Sequence, residues 1–141
     1  MKDLIDYINE SSGLRAQVFK LQKWVENNLD LQPFIDILGD YQEWAGETGE
    51  RSMRCGSGNY GETKIRMDWY MCAGWSGDYI AFKNKPTNTQ LNKCTELLKK
   101  TLKKEGFGDI DLEFVIKEHN PYYQPRNTYG IGVTVYMPGR K

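Results

Sequence analysis

The chain has 141 residues, the size of one domain, and at that length about two thirds of the unfolded surface can be buried, so one core suffices without staples. Its 39% hydrophobic and 27% charged residues are those of an ordinary soluble protein, and no apolar run approaches the ~20 residues that cross a bilayer, which excludes a membrane-spanning helix. Nineteen Lys and Arg balance nineteen Asp and Glu, but residues 1–50 carry four against ten and residues 51–141 fifteen against nine, so the chain is a dipole along its sequence.

The first fifty residues read as helices. Charges interrupt the apolar residues of MKDLIDYINES, unlike a secretory signal, and three cysteines are a poor disulfide framework, so an intracellular, cytoplasmic protein is expected. Leu4, Ile5 and Ile8 mark a short helix that Ser11, Ser12 and Gly13 end or interrupt; Leu14, Val18, Leu21 and Val25 then give a second helical stripe. Asn27 and Asn28 break it. Asp30 can cap the next segment, Pro33 is tolerated in its first turn, and Phe34, Ile37, Leu38 and Tyr41 form a third amphipathic face. Gly46 and Gly49 close this region.

After residue 50 the period changes from helical to alternating. Thr63, Ile65, Met67, Trp69, Met71 and Ala73 fall on one face of a strand, and Glu62, Lys64, Arg66, Asp68, Tyr70 and Cys72 on the other. Arg51 to Cys55 is a partner strand, GWSGD a turn, and Ile80 and Phe82 a third strand. A helix follows with signals at both ends: Thr87 and Gln90 form a capping box, Leu91, Cys94, Leu98 and Leu102 the buried stripe, and Gly106 the C-terminal cap. Lys99, Lys100, Lys103 and Lys104 crowd its last turns, where the helix dipole favours cations. Two strands close the pattern, Ile110 to Ile116 and Tyr129 to Val135, around the irregular HNPYYQPRN. The expectation is an α+β domain spanning residues 1–141, with an acidic helical segment (1–50) and a βββαββ segment (51–141), its antiparallel sheet of about five strands covered by helices on one face.

Gly56, Gly58 and Gly61 match the GxGxxG spacing of phosphate-binding loops. A dinucleotide fingerprint, however, links a strand to a helix N-terminus, and here the glycines lead into a strand. The kinase loop joins two strands but needs companion motifs that this chain lacks. A hairpin connection with GSGNYG as its exposed tip accounts for the same residues.

Catalytic and metal readings are weaker. Cys55, Cys72, Cys94 and His119 lack the short spacing of zinc motifs, so no metal and no cofactor is expected. Cys94 reads as core, and Cys72, on the outer strand face, as a free thiol that could pair with His119. Glu62-Thr63-Lys64 with Asp40 is an unspecific echo of a metal-dependent nuclease core, and Asp109, Asp111 and Glu113 read as the polar face of a strand start.

Two surfaces could bind a macromolecule. On the outer sheet face Arg54, Lys64, Arg66, Tyr70, Tyr79 and Lys83 combine cations with aromatics, the chemistry of single-stranded nucleic-acid binding and also of protein interfaces. In the acidic segment Asp36, Asp40 and Glu43 surround the apolar anchors Tyr41 and Trp44, and Tyr122 and Tyr123 sit in the later loop. With its acidic stretch from Asp30 to Glu50 and its loop at residues 119–129, this small, neutral α+β build resembles the phage and mobile-element inhibitors of the anti-CRISPR kind. That resemblance implies a non-enzymatic inhibitor that binds a basic partner, a nuclease effector, stoichiometrically; a single-stranded nucleic-acid binder using the sheet face is the alternative.

Overall fold

The structure is a computed structural model and describes residues 4–39, 41–42, 51–60, 64–73, 78–108, 110–117 and 127–138. The fold is α+β. Its elements run α1 (Leu4–Asn28), α2 (Gln32–Leu38), β1 (Tyr41–Gln42), β2 (Arg51–Tyr60), β3 (Ile65–Ala73), β4 (Asp78–Tyr79), β5 (Ala81–Phe82), α3 (Asn88–Lys104), β6 (Asp111–Lys117) and β7 (Tyr129–Met137). No helix among the described residues is long and apolar enough to cross a membrane.

All pairings are antiparallel. The four long strands lie in the order β2-β3-β7-β6, so the hairpins β2–β3 and β6–β7 join side by side through β3 and β7. From Tyr70 onward the pairing of β3 with β7 ends, and β4 and β5 fill the wedge between them: Cys72 pairs with Tyr79, the Ile80 N–H donates to the Met71 carbonyl (3.0 Å), and Ala81 pairs with Gly130. The expected third strand is therefore present as two short pieces.

Three helices cover one sheet face. Val18, Leu21 and Val25 of α1, Phe34 and Leu38 of α2, and Cys94, Leu98 and Leu102 of α3 meet Met53, Ile65, Met67, Trp69, Met71, Leu112, Phe114, Val133 and Val135 in one continuous core. Phe34 stacks on Phe114, ring centroids 5.5 Å apart. The acidic N-terminal third thus joins the sheet's core through its second half.

The capping residues act as their sequence positions predict at α3. Thr87 and Gln90 make both bonds of the capping box. At the other end the Phe107 N–H donates to the Leu102 carbonyl and the Gly106 N–H to the Lys103 carbonyl, with Gly106 at φ +89, the double bond pattern of a Schellman cap. At α2 the N-cap position is Leu31, which makes no side-chain cap bond; Asp30, one residue earlier, accepts the Gln32 N–H at 3.0 Å.

Three expectations need correction. First, α1 runs unbroken through Ser11-Ser12-Gly13. Serine and glycine cost a helix only up to about 1 kcal/mol each, less than the packing gained by the stripe from Val18 to Val25. Second, Tyr41 lies on β1, paired with Phe82, instead of extending the helix face, because Gly39 adopts φ +95 and ends α2 after Leu38. Third, Gly56 and Gly58 are not at a loop tip. Gly56 and Gly58 are inside β2, where a register shift between Cys55 and Gly58 makes a bulge, and a Cβ at Gly56 would stand 2.8 Å from the Asp68 carbonyl oxygen. Close backbone approach, not phosphate binding, explains that glycine. Gly61, Gly46 and Gly49 lie outside the described residues.

Candidate functional site

The two edges of the long-stranded sheet are closed by helix side chains. At β2 the Cys55 N–H donates to Glu26 Oε1 of α1 (3.2 Å), and the Cys55 thiol donates to the Gln22 carbonyl (3.8 Å). At β6 the Phe114 N–H donates to Thr95 Oγ1 of α3 (3.1 Å), while that hydroxyl donates to the Leu91 carbonyl (3.0 Å). Edge strands present unpaired N–H groups that recruit other strands. Here helices occupy those groups, so strand addition at Cys55 or Phe114 is blocked and the outer face is the larger surface for contact.

That face is laid out by the register. One row runs Arg66, Tyr136, Asp111; the next Asp68, Thr134, Glu113; the third Arg54, Tyr70, Gly132, Val115. No helix among the described residues packs on it. Thr134 Oγ1 donates to Asp68 Oδ1 (3.2 Å), and Arg66 Nη2 stands 3.7 Å from the same carboxylate oxygen, both side chains well exposed. An exposed pair of this kind contributes at most about 1 kcal/mol, so Arg66 remains available to a partner at little cost. Burial raises the Tyr70 phenol above its ordinary value, partly offset by the positive charge of Arg54 across the strand pair. Tyr70 is thus a neutral hydrogen-bonding aromatic at any physiological pH.

Gly132 gives the third row its shape. A Cβ there would meet Lys117 Cε and stand 2.9 Å from the Trp69 carbonyl oxygen. The lysine's methylene stem therefore crosses the strand over Gly132, filling a gap that any side chain would close.

The structure places Arg54, Lys64, Arg66 and Tyr70 of the expected basic and aromatic set on or beside this face, with Arg54, Lys64 and Arg66 exposed. Lys83 is exposed just beyond β5, and Tyr79 is at a register position of β4 opposite Cys72. The same face also holds Asp68, which alternation already put beside Arg66, and the register adds Asp111 and Glu113 from β6, so the face is mixed in charge.

The acidic set fares differently. Asp36 is exposed on α2 and accepts from Gln32 Nε2 at 2.7 Å. Tyr41 is on β1; Asp40, Glu43, Trp44, Tyr122 and Tyr123 lie outside the described residues, as do His119, Glu62 and Asp109. The described helical surface is not acidic: α1 presents Arg15, Lys20 and Lys23 beside Glu26, and α3 five lysines beside Glu96 and Glu105.

The cysteines do not converge. Cys55 and Cys94 lie on the helix side, Cys72 on the opposite face, so they share no metal site. Burial, then the charge and hydrogen bonding of Glu26, push the Cys55 thiol far above its usual range; burial pushes the Cys94 thiol up to about 12. Cys72, expected as an exposed thiol, is 1% exposed. Its outward strand position predicts access only if nothing lies over that end of the sheet.

Sequence reasoning passed over Trp24, Leu97 and Glu105, which join Asp30 and Pro33 around a groove in the helical layer. The one available signal is that Trp24 is a large aromatic immediately beside the Leu21–Val25 stripe. No protein-family model, curated protein or solved structure matches this chain.

Proposed function

We propose that this protein is a non-enzymatic protein-binding module that uses the outer face of its sheet. The observation that supports the reading most is the third-row and first-row geometry: Arg54 beside Tyr70 and Arg66 beside Tyr136, interleaved with Asp68, Asp111 and Glu113. Tyrosine and arginine are the residue types that dominate protein interfaces energetically, and mixed charges select a partner of complementary pattern. Three carboxylates among the cations would stand against phosphates, which favours a protein over a nucleic-acid backbone. In keeping with the resemblance to inhibitors of the anti-CRISPR kind, the partner class to try first is a nuclease effector, bound stoichiometrically.

The test is co-purification of the tagged chain with partners from bacterial lysate, with and without nuclease, followed by Arg54→Glu and Arg66→Glu variants. A stoichiometric protein that survives nuclease and loses at least tenfold in affinity in the double variant is expected. Unchanged affinity would remove the sheet face from the contact.

The second reading, single-stranded nucleic acid on Arg54, Lys64, Arg66 and Tyr70, draws on exposed cations spread along the β2–β3 side of this face. It requires an affinity that falls steeply with salt as counterions are released, lost when Lys64, Arg66 and Tyr70 become alanine. Recovery of nucleic acid with no nuclease-resistant protein would favour it.

A further inference from the structure

On the opposite side of the molecule, the end of α1, the start of α2 and the second half of α3 enclose a groove of about 240 Å³. Pockets for drug-sized ligands occupy about 300–1,000 Å³, so this one suits a single side chain. Its walls are formed by the apolar Trp24, Leu29, Pro33 and Leu97 together with the polar Asn28 and Thr101, and its charged lining residues are Asp30 and Glu105, both exposed. Asp30 gives one oxygen to the Gln32 N–H, and among the described residues neither carboxylate is held in an ion pair. Trp24 packs against Phe107, ring centroids 5.9 Å apart, and the Phe107 backbone is held in the cap of α3.

A small groove with one aromatic and several aliphatic lining residues, neutral hydrogen-bonding groups and two carboxylates is complementary to a cation on a methylene stem. We propose that this groove receives one arginine side chain of a partner protein. The stem lies along Leu29, Pro33 and Leu97, the guanidinium meets Asp30 and Glu105, and the indole of Trp24 offers its face. Arginine is favoured over lysine because its planar head stacks on aromatic rings and bonds carboxylates through two N–H groups at once. Lys100, Lys103 and Lys104 on α3 oppose a free cation at long range, so recognition depends on the short-range fit of stem and head together. The inference rests on the protein-binding reading only for the source of the side chain. Its chemistry is independent of the sheet face and is testable without a partner.

The probe is N-acetyl-arginine methylamide, titrated into the full chain while the Trp24 indole N–H and the backbone amides are followed by NMR. Saturable shifts around Trp24 and Glu105 with a Kd of about a millimolar are expected. N-acetyl-norleucine methylamide, with a similar stem and no charge, should bind at least about tenfold more weakly, and the Asp30→Asn, Glu105→Gln double variant should lose a similar factor. Asparagine can still accept the Gln32 N–H, and both positions are exposed, so amide dispersion should match the parent. If dispersion is lost, Glu105→Gln alone decides. Absence of saturable shifts, equal affinity for the neutral probe, or unchanged affinity in the variant would overturn the proposal. Tighter binding of the lysine analogue would overturn the choice of arginine. Sheet-face variants do not bear on this outcome, so the two readings fail separately.

Discussion

On the inner face of β3 and β7, Ile65, Met67, Trp69, Met71, Ile131, Val133 and Val135 are sealed beneath three helices, whereas the outward positions of the same strands carry Arg66, Asp68, Tyr70, Gly132, Thr134 and Tyr136. The two sets alternate residue by residue, so each strand contributes equally to stability and to contact. Burial of large apolar side chains on one side fixes the backbone that spaces the polar rows on the other. The outer surface can then vary in chemistry at little cost to the fold, because its side chains are held by strands whose anchoring lies elsewhere.

Substitutions at Trp69, Gly132 and Arg66 would test that division, from the inner face outward. Trp69→Ala removes the largest fully buried side chain and should lower unfolding free energy by about 3–5 kcal/mol in urea denaturation. The Trp69 indole N–H has no hydrogen-bond partner among the described residues, so Trp69→Phe, which deletes that unsatisfied donor, should cost much less than truncation. Near-equal losses for the two would show that the indole edge, not bulk, holds the site together. Gly132→Ala acts at the boundary between the faces. The new methyl meets the Lys117 stem and the Trp69 carbonyl, and a loss of about 1–3 kcal/mol is expected, with Lys117→Ala in the same chain recovering part of it. No recovery would place the strain on the backbone alone. Arg66→Ala, on the outer face, should change stability by less than about 0.5 kcal/mol, since its ion pair with Asp68 is exposed. A larger loss would mean that the outer face also holds the fold.

The division between faces was legible in the sequence, because alternation from Ile65 to Met71 and the helical stripe from Cys94 to Leu102 each concern neighbours along one element. Both caps of α3 were legible for the same reason. The failures share a cause. Ser11-Ser12-Gly13 reads as a break by local propensity, yet helix α1 continues through it; Gly56 reads as a loop residue, yet its need for glycine comes from the Asp68 carbonyl on the neighbouring strand. Asp68 was already beside Arg66 by alternation along one strand, but only the register of β3, β7 and β6 puts Asp111 and Glu113 in the same rows. The groove depends on Trp24, Asp30 and Glu105, brought together from two segments far apart in the chain, and no local pattern encodes that meeting.

The seam between the hairpins also governs how the chain reaches this state. Each hairpin is local and can form in about 1–10 μs, but pairing Met67 with Val135 closes a loop that contains all of α3. Such non-local pairing places a chain among the slower folders, on the order of milliseconds to seconds. During synthesis β3 emerges well before β7, so its central edge, with Trp69 and Met67 on one side, waits unpaired until the last described strand arrives. The interval between hairpin and seam, more than the finished surface, sets the chain's exposure to wrong partners.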